Sequence, residues 1–158
     1  MSDPRHSTDW RKRRARRLAL AKSHSAPTTP SPLIQQVSGP PCSGKSTWIQ
    51  QHAQPGDTIL DDNELLAKPA GGRDRITPVM WHRWYKRLDR SIATWSGPGT
   101  LYYIQGNPRP RHPAATVTLL NPGATECHQR ADRDNRPAIT HTWIHQWFTK
   151  YATNGSQP

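Results

Sequence analysis

Gly39-Pro40-Pro41-Cys42-Ser43-Gly44-Lys45-Ser46 reads G-x-x-x-x-G-K-S, the spacing of the phosphate-binding loop, or Walker A motif. Its flanks supply the context that this spacing needs. Leu33-Ile34-Gln35-Gln36-Val37-Ser38 runs into it as a short strand, and Thr47-Trp48-Ile49-Gln50-Gln51-His52 leaves it as a helix. Strand, loop and helix in that order predict a nucleotide site rather than a chance Gly/Pro turn. Gly39 and Gly44 allow backbone angles and close approaches that a Cβ would block. Backbone groups from Gly39, Pro40, Pro41, Cys42, Ser43, Gly44, Lys45, Ser46 and Thr47 would surround the phosphates at a helix N-terminus, where the dipole favours negative charge. Lys45 would reach the β- and γ-phosphates, and the Ser46 hydroxyl would ligate Mg²⁺. The expected ligand is ATP or GTP.

Outward from the loop, strands and helices alternate. Asp57-Thr58-Ile59-Leu60-Asp61-Asp62 reads as a second strand ending in two carboxylates. Thr77-Pro78 opens a helix, with Thr as its cap and Pro in its first turn. That helix carries Trp81, Trp84, Tyr85, Leu88, Ile92 and Trp95 at core-facing spacing, with Arg83, Arg87 and Arg90 on the other side. Thr100–Ile104 and Ala115–Leu120 read as a third and a fourth strand. Between them, Gly106 to Pro113 holds three prolines and cannot form a regular helix. Asn121-Pro122 reads as a helix cap with Pro behind it. A last helix places Ile139, Trp143, Ile144, Trp147, Phe148 and Tyr151 on one buried face. The alternation predicts an α/β fold, a small P-loop NTPase-type parallel sheet of about four strands flanked by helices.

Composition sets the outer limits. At 158 residues the chain is one domain by length. Only 32% hydrophobic residues and as many as 16 prolines imply long irregular segments, which seven tryptophans partly offset. Cys42 and Cys127 are the only cysteines, too few for a disulfide framework, and they point to a cytoplasmic protein. No apolar run is long enough to span a membrane, and the opening residues are too basic for a signal peptide. The net charge is +11, and residues 1–32 carry a disproportionate share of it. Trp10 to Lys22 predicts a basic helical arm, followed by a Ser/Thr/Pro linker to Pro32. The expected organisation is therefore 1–32 as a largely disordered basic arm and linker, and 33–158 as the nucleotide-binding domain. DNA or RNA bound through residues 10–22 is the expected macromolecular partner. A solubilising tail is the plainer reading of the same charge.

Two further groups of residues bear on chemistry. Asp61 and Asp62 stand at the carboxyl end of a strand, the edge at which parallel α/β sheets bind ligands. One could accept the proton of an attacking hydroxyl, and Asp61 could help Ser46 hold Mg²⁺. An ordinary helix cap ahead of Asn63-Glu64 is the alternative. Arg130, Arg133 and Arg136 recur every third residue. Arginines in such a segment can close on a nucleotide and stabilise the charge of a transferring phosphoryl group, or pair with Asp132 and Asp134 at the surface. His141 and His145 have i, i+4 spacing, but no third ligand stands at matching distance. No four-apolar-then-Asp segment follows a strand, and Ile104 leads instead into Gln105-Gly106-Asn107.

With the loop, the Asp pair and the Arg segment in order, residues 33–151 resemble the small P-loop kinase-like proteins. These include phage polynucleotide kinases, the zeta-toxin kinases and short ATP-binding proteins of actinobacterial bacteriophages. The stretches that carry the likeness are Gly39–Ser46, Ile59–Asp62, Leu101–Ile104, Thr116–Gly123, Arg130–Arg136 and Trp143–Tyr151. The resemblance implies phosphoryl transfer from ATP, with Mg²⁺, to a hydroxyl of a nucleic acid, nucleotide or small molecule. It implies Lys45 and Ser46 as phosphate and metal contacts, Asp61 or Asp62 as acceptor-activating base, and Arg130 and Arg133 as lid arginines. In a phage protein, the location would be the host cytoplasm. Two departures stand out: no helix between the third and fourth strands, and no evident fifth strand. If they remove the acceptor site, the alternative is a non-catalytic, ATP-responsive nucleic-acid-binding protein.

Overall fold

The computed structural model describes residues 33–151, all within the compact unit Pro32–Pro158. The expected basic arm and linker lie outside the described residues. The elements run β1 (Leu33–Ser38), α1 (Lys45–His52), β2 (Thr58–Leu60), α2 (Lys68–Ala70), α3 (Pro78–Ala93), β3 (Thr100–Gln105), β4 (Ala115–Leu119), α4 (Ala124–Arg133) and α5 (Ile139–Tyr151). A π-helical turn, Asn63–Ala67, leads into α2, and a 3-10 turn, Arg73–Arg75, precedes α3. The four strands form one sheet in the order β2-β3-β1-β4, and every pairing is parallel. This is the α/β architecture, a parallel sheet of four strands flanked by helices, that the alternation of elements predicts.

Alternation within the strands divides the core between the two faces of the sheet. Ile34 of β1 and Leu101 and Tyr103 of β3 point to one side, where they pack with Leu60 against Trp84, Leu88 and Ile92 of α3. Val37, Tyr102 and Ile104 point to the other side and meet Ile49 of α1. The α3 cap is as expected: Thr77 Oγ1 accepts from Met80 N at 3.3 Å. The predicted stripe is narrower, however. The helix ends at Ala93, before Trp95, and Tyr85 is 38% exposed. The α4 cap also differs. Asn121 does not cap the helix; its Oδ1 accepts from Gly123 N at 3.2 Å, and Gly123 takes the cap position with φ +95°. In α5, Thr140, Ile144 and Trp147 are buried while Ile139 is exposed.

The link from β3 to β4 must cross β1, because β1 lies between them in the sheet. Parallel neighbours are usually joined through a helix that satisfies its own backbone. Here residues 106–114 are irregular, and a buried side chain takes over that task. Gln36, in the middle of β1 and fully buried, shares its face with Ile34. Its Nε2 donates to Asn107 O at 3.1 Å and Arg109 O at 2.9 Å, and contacts Ser38 Oγ at 2.7 Å. Its Oε1 accepts from Arg111 N at 2.8 Å and Tyr103 OH at 2.7 Å. Ser38 Oγ donates to Asn107 O at 2.9 Å. Burial pushes the Tyr103 hydroxyl up to about 12, so it stays a donor. Beyond this core, Arg111 makes a bidentate pair with Asp89 of α3, and Trp147 Nε1 donates to Gly106 O.

This network makes a graded prediction. Gln36→Leu keeps the volume but strips partners from several buried groups, each worth about 1–3 kcal/mol. Its unfolding free energy in urea should fall by about 3 kcal/mol or more. Tyr103→Phe, which leaves Gln36 bonded to the crossover, should lose about 1 kcal/mol. Equal losses for the two variants would show that Gln36 does not support the crossover.

Candidate functional site

The loop Gly39–Ser46 leaves the centre of the sheet at the carboxyl end of β1, and α1 begins directly behind it. Gly39 has φ +149°, and a Cβ there would come within 2.2 Å of Leu120 O. The loop and the end of β4 thus touch backbone to backbone. Gly44 caps α1 with φ +93°, no side chain caps the helix, and no acidic residue occupies its first turn. The helix N-terminus therefore keeps its donors and its dipole available for an anion. Cys42 also has positive φ, +62°, a conformation uncommon outside glycine. Its side chain packs beside Cys127, Ala131 and Ile144, tying the loop to α4 and α5.

Lys45 folds back over the loop. Its Nζ donates to Pro40 O at 2.6 Å and Gly39 O at 3.0 Å, and lies 3.4 Å from Ser43 Oγ. Burial lowers its pKa from 10.5 to about 8, with the nearby Asp62 carboxylate opposing that shift. The ammonium is thus held by neutral carbonyls in a place that disfavours its charge. An anion entering the loop would supply the missing counter-charge.

The two carboxylates after β2 separate in environment. Asp61 is buried. Its Oδ2 accepts from Ser46 Oγ at 2.7 Å, and its Oδ1 accepts from Asn63 N at 2.8 Å. One carboxylate thus holds both the loop serine and the backbone at the start of the π-helical turn, one oxygen each. Asp62 turns into a cleft and pairs with Arg73 Nη1 at 3.0 Å. Ser46 and Asp61 together offer two hard oxygens beside the phosphate loop. Mg²⁺ is commonly held by one or two carboxylates with substrate phosphates and water, so this pair fits such an ion. Among the described residues, no cluster of three or more His, Cys, Asp or Glu side chains could hold a metal by itself. His141 does not pair with His145. Its Nδ1 meets His128 Nδ1 at 2.7 Å, and its Nε2 lies 3.2 Å from Asp132 Oδ1.

The arginine segment is only partly helical. Arg130 and Arg133 belong to α4, which ends at Arg133, and Arg136 follows in the turn after it. Arg130 is aimed at the loop: its Nη1 is 3.5 Å from Cys42 O, and its Nε pairs with Glu126 at 2.7 Å. The same guanidinium fills the space beside Gly44, 3.3 Å from where a Cβ would stand. Arg133 is exposed and lies 3.7 Å from Asp134.

These residues line two clefts. One, of about 580 Å³, runs over the start of α1 between Thr47, Trp48, Leu120, Arg130 and Arg133. The other, of about 730 Å³, lies between Asp61, Asp62, Arg73, Tyr85, Gln105 and Trp143. Cys42, Lys45, Ser46 and Arg136 line both. The clefts meet at the lysine and serine of the loop. Sequence reasoning did not pick out Arg73, Tyr85 or Trp143 as site residues. Arg73 follows Gly71-Gly72 without any motif, and both aromatics read as members of core stripes.

No family model matches the chain, and no curated protein sequence matches it. Among solved structures it is similar to a chain of the Pnkp1/Rnl/Hen1 RNA repair complex, with 16% identity and a TM-score of 0.62. The match covers 80% of this chain and 46% of that one, so the chain spans just under half the length of this neighbour. At that identity the likeness supports the fold alone.

The state of Lys45 is testable without any ligand. A lysine whose folded pKa lies near 8 binds fewer protons when folded than when unfolded, between about pH 8 and its ordinary 10.5. Stability should therefore rise with pH across that window, and the penalty should be fully present below pH 8. Lys45→Met should abolish this rise and stabilise the nucleotide-free protein at neutral pH. The gain should be on the order of 1–3 kcal/mol, at about 1.4 kcal/mol per pKa unit. Thermal melts of both proteins from pH 7 to 10 make the comparison, and parallel curves would contradict it.

Proposed function

We propose that the chain is an ATP-dependent phosphotransferase acting on a hydroxyl of a nucleic acid, nucleotide or small molecule. The observation that carries this reading is the meeting of two clefts at Lys45 and Ser46. A single nucleotide site needs one cleft, whereas transfer between two substrates needs two that share the transferring group. In this reading the nucleotide lies in the cleft over α1, with its terminal phosphates in the loop and Arg130 above them. The acceptor lies in the cleft beside Asp62. The fold, similar to that of a chain from an RNA repair complex, is compatible with this chemistry.

The residues divide the work as follows. Backbone donors at the α1 N-terminus and the Lys45 ammonium hold the phosphates and neutralise their charge. Ser46 and Asp61 would hold Mg²⁺, which when bound would supply Lewis-acid stabilisation of the charge that develops on the phosphates. Asp62 faces the acceptor and takes the proton from its hydroxyl. The freed oxygen bonds to the γ-phosphorus, the bond to the β–γ bridging oxygen breaks, and the nucleoside diphosphate leaves. Arg130, which lines the cleft over α1, and Arg136, which lines both clefts, are the cations that would stabilise the charge on the transferring group. Asp62 suits the proton step better than Asp61, since both oxygens of Asp61 are already engaged.

Incubation with γ-labelled ATP, Mg²⁺ and a panel of 5′-hydroxyl DNA, RNA and nucleosides tests the proposal. Label should reach an acceptor with the wild type. Lys45→Ala should weaken nucleotide binding by about 10- to 100-fold, the worth of a charge-assisted hydrogen bond. Asp62→Asn should cut transfer by about 100-fold or more, the scale of a lost general base, while nucleotide binding is kept. Nucleotide binding with no transfer to any acceptor class would overturn the enzyme in favour of a nucleotide-responsive binding protein.

A further inference from the structure

Helix α3 has a face that the two clefts do not use. Toward the sheet it buries Trp84, Leu88 and Ile92. Away from the sheet stand Arg83, Lys86, Arg87 and Arg90, all exposed. Their i, i+3, i+4, i+7 spacing brings the four cations into one row about 10 Å long. None of them enters an ion pair among the described residues. The one acid of the helix, Asp89, is held bidentately by Arg111. Before the helix, Asp62 pairs with Arg73 and Glu64 with Lys68, and Asp74, the nearest acid in sequence, pairs with none of the four cations. Like charges at i, i+4 spacing weaken a helix, and here no local partner offsets that repulsion.

We propose that the outward face of α3 is a nucleic-acid-binding surface, on which Arg83, Lys86, Arg87 and Arg90 receive the phosphates of a single strand. Charge complementarity selects this occupant. A membrane-surface helix would need a broad apolar face outward, whereas α3 buries Trp84, Leu88 and Ile92 against the sheet and leaves only Val79 and Tyr85 exposed among its large apolar side chains. A row of four unpaired cations on a convex helix suits the evenly spaced monoanions of a polynucleotide, which bind largely through release of counterions. The same helix places Tyr85 in the cleft beside Asp62, so a strand on the outer face would lie along the element that forms the acceptor wall. The inference deepens the proposed function by naming its acceptor class as a polynucleotide, and to that extent it rests on that reading.

The test uses the full chain and labelled single-stranded RNA, single-stranded DNA and duplex DNA, with affinity followed by fluorescence anisotropy between about 50 and 200 mM salt. Wild type is compared with the quadruple variant R83Q/K86Q/R87Q/R90Q and with the charge-keeping variant R83K/R87K/R90K. Binding through any other basic segment stays constant across the three proteins. For single strands, the quadruple variant should lose about 2–3 units from the slope of log affinity against log salt, at about 0.7 per phosphate contact. Its affinity at the lowest salt should fall at least about tenfold, and the lysine variant should track the wild type. Coincident slopes for all three proteins, no binding by the wild type, or an effect confined to duplex would each overturn the proposal. Titration with a fluorescent ATP analogue and the transfer assay separate this result from the phosphotransferase reading. A reduced slope with no transfer to any acceptor keeps the surface and removes the enzyme. Transfer to nucleosides with unchanged slopes does the reverse.

Discussion

The fold depends on one buried amide. Because β1 lies between β3 and β4, the chain must cross the central strand, and it does so without a helix. An irregular crossover brings carbonyl and amide groups into the interior, where each lost hydrogen bond is expensive. Gln36 meets that need from within the strand being crossed, with Nε2 directed to two crossover carbonyls and Oε1 to a crossover amide and the Tyr103 hydroxyl. A leucine at this position would suit the strand and fail the loop. The network is of the kind whose value lies in completeness, since a half-satisfied polar cluster is worse than an apolar one.

What Gln36 anchors reaches the site by two routes. Along β1, the network includes Ser38, the last residue before the loop Gly39–Ser46, so the position of the loop is fixed from the strand side. Through the crossover, Arg111 grips Asp89 and sits 4.7 Å from the centre of the Tyr85 ring. Tyr85 is in turn a wall of the larger cleft. The residues that replace the missing helix therefore brace both the loop Gly39–Ser46 and the neighbouring cleft. The short crossover seen in the sequence is a substitution of one kind of support for another.

The sequence was most legible where the chemistry is local. The strand and the helix on either side of Gly39–Ser46 form where the sequence places them, because each is set by a few consecutive residues. Asp61 and Asp62 could be placed by the rule that sites form at strand ends, but not told apart. Their separation depends on Ser46, Asn63 and Arg73, whose positions come from tertiary packing. Helix boundaries were weaker. Asn121-Pro122 looks like a cap, yet an Asn side chain can instead bond an amide two residues on, which leaves Gly123 to open α4. Tyr85 and Trp143 were hidden because a cleft wall and a core stripe have the same helical spacing. Gln36 was the least visible, for a polar residue within a strand carries no sign of what crosses above it.

The handling of charge follows from the same geometry. The strand beside β1, β3, ends in Gln105 rather than an acid, so the carboxylate that reaches the serine of the loop comes from the end of β2, as Asp61. Asp61 reaches Ser46 only because β2 stops at Leu60 and the chain turns at once, with its carbonyl and carboxylate both used to start the π-helical turn. That turn keeps Asp61 inward and leaves its neighbour, Asp62, to face the cleft. Two adjacent carboxylates thus acquire different duties from a single bend of the backbone. One is committed to the serine of the loop. The other stands opposite Arg73, on the wall of the larger cleft.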